Sequence, residues 1–88
     1  MAAEGGGERG RLRWRCRRGM LELDELLGGF VDGGGYDALT PAQRAAFERL
    51  LATEDQRLMS WLLAGERPTD GELTDLVERI RAHARARP

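Results

Sequence analysis

Three times between residues 40 and 80 a threonine is followed at the third position by glutamine or glutamate and then by an apolar stripe at three- and four-residue spacings. This is the pattern of a capping box, in which a hydroxyl accepts the amide of the third residue and that residue's side chain returns the bond. The pairs are Thr40 with Gln43, Thr53 with Gln56 and Thr69 with Glu72, and Pro41 stands at a first-turn position that suits proline. Behind them run Ala46, Phe47, Leu50 and Leu51, then Leu58, Met59, Trp61 and Leu62, then Leu73, Leu76, Val77, Ile80 and Ala84. Gly65 is placed to end the second of these helices. An amphipathic helix without a sheet to lie on buries its stripe against other helices, so the pattern predicts an all-α, compact helical bundle. Trp61 is expected to fill the core against Phe47 and Leu50.

The first half of the chain is punctuated by glycine. Residues 1–10, glycine-rich and small, read as a flexible tail, with order beginning near Arg11 and a single helical domain over residues 11–86. Leu12 and Cys16 lie four apart and face inward from a short first helix. Alternation of arginine with Leu12, Trp14 and Cys16 also fits a strand, but no partner strand exists elsewhere in the sequence. Gly19 interrupts. Met20, Leu23, Leu26, Leu27, Phe30 and Val31 then return to helical spacing, with Glu22, Asp24 and Glu25 in the early turns where the helix dipole favours acids. Gly28 and Gly29 either weaken the end of that helix by about 1 kcal/mol each or let another element approach closely. Residues 32–35 read as a loop that Tyr36 and Leu39 pin to the core.

Eighty-eight residues support one domain. No apolar run reaches the roughly 18 residues needed to span a bilayer, and the first residues resemble neither a secretion signal nor a basic presequence, so a cytosolic location is expected. Catalytic inventory is thin. Cys16 is the only cysteine and reads as a small, semi-buried helix residue; His83 is the only histidine and reads as solvent-facing. The acids fall on exposed faces and first turns, and Gly33, Gly34 and Gly35 lack the lysine and hydroxyl residue of a phosphate loop.

Charge is unevenly spread. Six arginines stand against Glu4 and Glu8 through Arg18, four stand against thirteen acids from Gly19 to Glu78, and four follow with no acid; lysine is absent. A nucleic-acid-binding module using Arg9, Arg11, Arg13, Arg15 and Arg17 beside Trp14 is one reading of the basic end. The acidic middle would repel a nucleic-acid backbone, which favours a protein partner.

Arg18, Gly19, Met20, Leu21 and Glu22 form an RGxxE sequence, and around it the chain resembles the small family of succinate dehydrogenase assembly factors that promote covalent attachment of FAD. Also in the family's order are Arg11, residues 14–18, Glu22 with Leu23 and Asp24, Tyr36 with Leu39, Phe47 with Leu50 and Leu51, Asp55, Trp61 with Leu62, Gly65 and Pro68. The resemblance implies a five-helix bundle, no enzymatic activity, no stably bound cofactor, and a partner that is the flavoprotein subunit of succinate dehydrogenase or fumarate reductase. It implies that FAD joins a histidine of that client through the client's own chemistry, with the factor contributing orientation. The partner-binding residues it implies are Arg11, Trp14, Arg17, Arg18, Gly19, Met20, Glu22 and Asp24. As a surface pair on a continuous helix, Arg18 and Glu22 would be worth only about 0.3 to 0.5 kcal/mol, so a role in binding rather than folding is expected of both.

Overall fold

A computed structural model describes residues 2–86, which form five helices: α1 (Ala2–Arg15), α2 (Leu21–Asp32), α3 (Pro41–Leu51), α4 (Asp55–Leu62) and α5 (Gly71–Ala86). The expected all-α, five-helix bundle is what the chain adopts, and no strand occurs among the described residues. α5 packs on α2, α3 and α4, and α2 also meets α4. The stripes read from the sequence make the core: Leu23, Leu27, Phe30 and Val31 from α2, Ala46, Phe47, Leu50 and Leu51 from α3, Leu58 and Leu62 from α4, and Leu76, Val77 and Ile80 from α5. Leu12 and Cys16 close one side and Leu39 another. Each large side chain so buried contributes about 1.5 to 3 kcal/mol, which is what holds short helices that would not persist alone. Aromatic rings knit the centre, Phe30 against Phe47 at 5.9 Å and Tyr36 edge-on to Phe47 at 5.3 Å.

Of the three capping boxes, one forms as written. Thr40 accepts the Gln43 amide at 3.2 Å while the Gln43 side chain accepts the Thr40 amide at 2.8 Å. At the next start, Thr53 turns its hydroxyl back to the Arg49 carbonyl, and α4 begins one residue later with Glu54 as an N-cap that makes no side-chain bond. At the third, Asp70 displaces Thr69. Its carboxylate accepts the amides of Glu72 at 2.8 Å and Leu73 at 3.2 Å. These bonds, the Leu73 amide foremost, and the nearby Arg49 hold the Asp70 carboxyl below its ordinary pKa. Gly65 ends α4 as expected, with φ +83° and the Glu66 amide reaching back to the Ser60 carbonyl at 2.9 Å.

Helix α1 starts at Ala2 and not near Arg11. Glycines lower helix propensity but keep their backbone donors, so a helix anchored by Leu12 and Cys16 can propagate into them. Around Gly7 and Gly10 there is open space. α2 runs through both of its glycines to Asp32, and the Arg13 guanidinium crosses over Gly28, 2.7 Å from where a Cβ would stand, with Nε donating to both Asp32 oxygens at 3.0 Å. His83 departs from the solvent-facing expectation. Its ring is half-buried, edge-on to Phe30 at 5.5 Å and directly over Gly33. Trp61 packs on the rim of the core, half-buried.

Candidate functional site

The turn between α1 and α2 carries the RGxxE residues, and its shape follows from three local devices. α1 tightens as it ends, with the Cys16 and Arg17 amides donating to the Arg13 and Trp14 carbonyls. Gly19 then takes φ +85°, in the left-handed region that a side chain disfavours, with nothing within 4 Å of where a Cβ would be. Glycine is therefore needed here for backbone conformation, not for room inside the protein. Met20 is extended and serves as the N-cap residue of α2 without a side-chain bond. Asp24, one turn on, reaches back and accepts the Arg18 amide at 2.5 Å, which ties the two sides of the elbow together.

Arg18 is the keystone of this arrangement. Its side chain, 15% exposed, passes under the elbow into the junction of α3 and α4. Nε donates to Asp55 at 2.6 Å, Nη1 to the Leu51 carbonyl at 2.9 Å and the Arg15 carbonyl at 3.1 Å, and Nη2 to the Thr53 carbonyl at 2.9 Å. Leu51 and Thr53 lie at the C-terminus of α3, where carbonyls lack intrahelical partners and the dipole is negative. Only the forked guanidinium reaches a carboxylate and several carbonyls from one stem. The expectation that Arg18 serves binding and not folding is thus corrected: Gly19 breaks the helix as expected, Glu22 points outward, and the Arg18 guanidinium is engaged within the fold.

What the fold does not use is on the outside of the elbow. Trp14 is 67% exposed with the Arg17 guanidinium carbon 5.3 Å from its ring centre, and Leu21 is 73% exposed. Glu22 is exposed and has no ion pair among the described residues. Met20 is half-buried against the core. The turn therefore brings Trp14, Arg17, Gly19, Met20 and Glu22 to one region, with Arg18 and Asp24 behind them as its frame. Arg11 stands apart, in the cleft between α1 and α3 with Arg15, Tyr36, Arg44 and Glu48. Leu21 escaped the sequence reading because it is one position off the buried stripe. Its signal was a leucine on the face otherwise given to acids.

The basic end is partly neutralised from within. Arg9 pairs with Asp37 at 2.5 Å, Arg13 with Asp32 and Arg15 with Glu48. That consumes three of the five arginines assigned to a nucleic-acid contact. Cys16 is fully buried, and burial pushes its thiol up to about 11 against the pull of Arg13, Arg18 and Arg15, so the thiol is protonated and unreactive near neutrality. Among the described residues no group of three or more His, Cys, Asp or Glu is placed to hold a metal ion.

A model of the family described as the flavinator of succinate dehydrogenase matches residues 10–84. The chain belongs to this family. Curated relatives agree: the FAD assembly factor SdhE of Mannheimia succiniciproducens is 49% identical over 70 residues, 80% of this chain and 80% of that protein. The factor of the same name from Idiomarina loihiensis is 46% identical over 67 residues, 76% and 73% of the two chains. That of Legionella pneumophila strain Paris is 47% identical over 74 residues, 84% and 91%. In this flavinator-family member the matched span begins within α1 and takes in the elbow, the Arg18 clamp and nearly all of α5.

Proposed function

We propose that the chain is an assembly factor that binds the flavoprotein subunit of succinate dehydrogenase, or of the related fumarate reductase, one to one, and promotes covalent attachment of FAD to it. Family membership across residues 10–84 supports the activity. The observation that carries the choice of surface is the elbow, where a turn shaped by Gly19 offers Trp14, Arg17, Leu21 and Glu22, which the fold leaves exposed. In this reading Trp14, Arg17, Gly19, Met20 and Glu22 touch the client, Arg11 adds a contact from the neighbouring cleft, and Arg18 and Asp24 hold the shape. Exposed tryptophan and arginine are the residue types that dominate interface energetics when a partner desolvates them.

The factor acts by binding and orienting rather than by supplying a nucleophile, base or cofactor. Reactions between two groups of one client gain steeply when their geometry is restricted, so a partner that selects the productive arrangement accelerates attachment without touching the reacting atoms. The related factors named above come from bacteria, and we place this one in the bacterial cytoplasm. No helix among the described residues is long and apolar enough to cross a membrane.

The test is reconstitution of purified client, FAD and factor, with covalent flavin read by in-gel fluorescence after denaturation. The parent should raise fluorescence; Trp14→Ala and Glu22→Ala should lose most of that gain while melting like the parent. Equal flavinylation with and without the factor would refute the reading, and full activity of both variants would refute the surface.

A further inference from the structure

Behind the elbow, where the second turn of α2 meets the end of α4 and the last turn of α5, Glu22, Glu25, Leu26, Leu63 and Ala84 line an open groove of about 280 Å³. Leu63, just past α4, is 40% exposed, and Leu21 beside it in sequence to Glu22 is 73% exposed. On a helix, residues four apart stack along one face, so Leu21 aligns with Glu25 and Glu22 with Leu26. The groove thus sets the carboxylates of Glu22 and Glu25 beside the apolar groups of Leu26, Leu63 and Ala84.

Neither feature is explained by the fold. The helix dipole accounts for an acid in the first turn of α2, but its influence fades within that turn and does not extend to leucines left in water. Among the described residues Glu22 and Glu25 make no ion pair, while Asp24 between them is committed to the Arg18 amide. Exposed leucines beside the unpaired carboxylates of Glu22 and Glu25 are complementary to an apolar side chain with a basic neighbour on the α2 side.

We infer that this groove docks a basic, apolar segment of the client flavoprotein subunit, one aliphatic or aromatic side chain entering between Leu26 and Leu63 with a lysine or arginine beside it meeting Glu25. The inference rests on the client reading above and extends its surface from the elbow around α2. It assigns to Glu25, Leu26, Leu63 and Ala84 a role in partner choice: the carboxylates reject acidic segments, and the apolar groups reject wholly polar ones.

The experiment measures the affinity of the full chain for the purified flavoprotein subunit by calorimetric titration, for the parent, Leu63→Ser and Glu25→Arg, beside thermal melts of each. Both substitutions replace exposed groups and should leave melting near the parent. Each should weaken binding roughly tenfold, and Glu25→Arg should also flatten the dependence of affinity on salt. A photo-crosslinking residue at position 63 should attach to a client peptide in which an apolar side chain neighbours lysine or arginine. Parent-like affinity of both variants in a system where the parent binds would overturn the inference while leaving the client reading intact, as would a crosslink to an acidic segment or to a second copy of this chain. Failure of the parent itself to bind would remove the client reading, and the groove's role with it.

Discussion

Replacing Arg18 by alanine removes a forked donor group that no neighbour can supply. The guanidinium serves Asp55 and the carbonyls of Leu51, Thr53 and Arg15. A hydrogen bond from a charged group is worth about 1.5 to 3 kcal/mol, but these bonds share one donor group and are not additive. Asp55 is 39% exposed, so its charge rehydrates when the partner leaves and the ion-pair share is discounted accordingly. The Leu51 and Thr53 carbonyls are left facing a gap at the α3–α4 junction, and their desolvation is the larger part of the loss. A net cost of about 2 to 4 kcal/mol follows. In a domain of this size 1 kcal/mol moves the melting temperature by about 4 to 8 °C, so Arg18→Ala should melt about 8 to 32 °C below the parent. Arg18→Lys keeps the charge without the fork and should fall between them. Circular-dichroism melts of the parent, both variants and Asp55→Asn decide the matter. An alanine variant within about 3 °C of the parent would show that the clamp does not hold the junction. The consequence for function is practical: lost flavinylation in Arg18→Ala reports on client contact only at temperatures where the variant is folded.

Gly19→Ala should cost about 1 to 2 kcal/mol in denaturant unfolding, because φ +85° is the left-handed region and no clash adds to it; Gly19→Asn should recover part of that, and an alanine variant as stable as the parent would refute a conformational role. Cys16 binds its proton more tightly when folded, so the stability this confers is full below the ordinary thiol value of 9.0 and is lost as pH rises toward about 11. Relative to Cys16→Ala, the parent's unfolding midpoint should fall across that window, and a constant difference would contradict it. Trp61→Ala should lower stability by less than the roughly 3 to 5 kcal/mol of a fully buried aromatic, since the ring sits at the rim; a loss at the top of that range would place it in the core.

Helical class, bundle architecture and core composition were legible in the sequence because amphipathic periodicity is a local property: residues three and four apart share a face whatever the rest of the chain does. Phe47, Leu58 and Ile80 are fully buried where their spacing put them. Starts of helices were less legible, since Thr53 and Thr69 match a capping pattern that Glu54 and Asp70 displace by one residue, and local sequence does not rank competing caps. The RGxxE stretch identified the family but not the division of labour within it. The folding role of Arg18 went unread because Leu51, Thr53 and Asp55, more than thirty residues away, are invisible to any local pattern. Tertiary structure alone sends Arg18 inward and leaves Leu21, Glu22, Glu25 and Leu63 outside. The reason is physical: unpaired carbonyls at the end of α3 are satisfied only by whichever donor the packed chain brings to them, and the residues not so consumed are what remains for a partner.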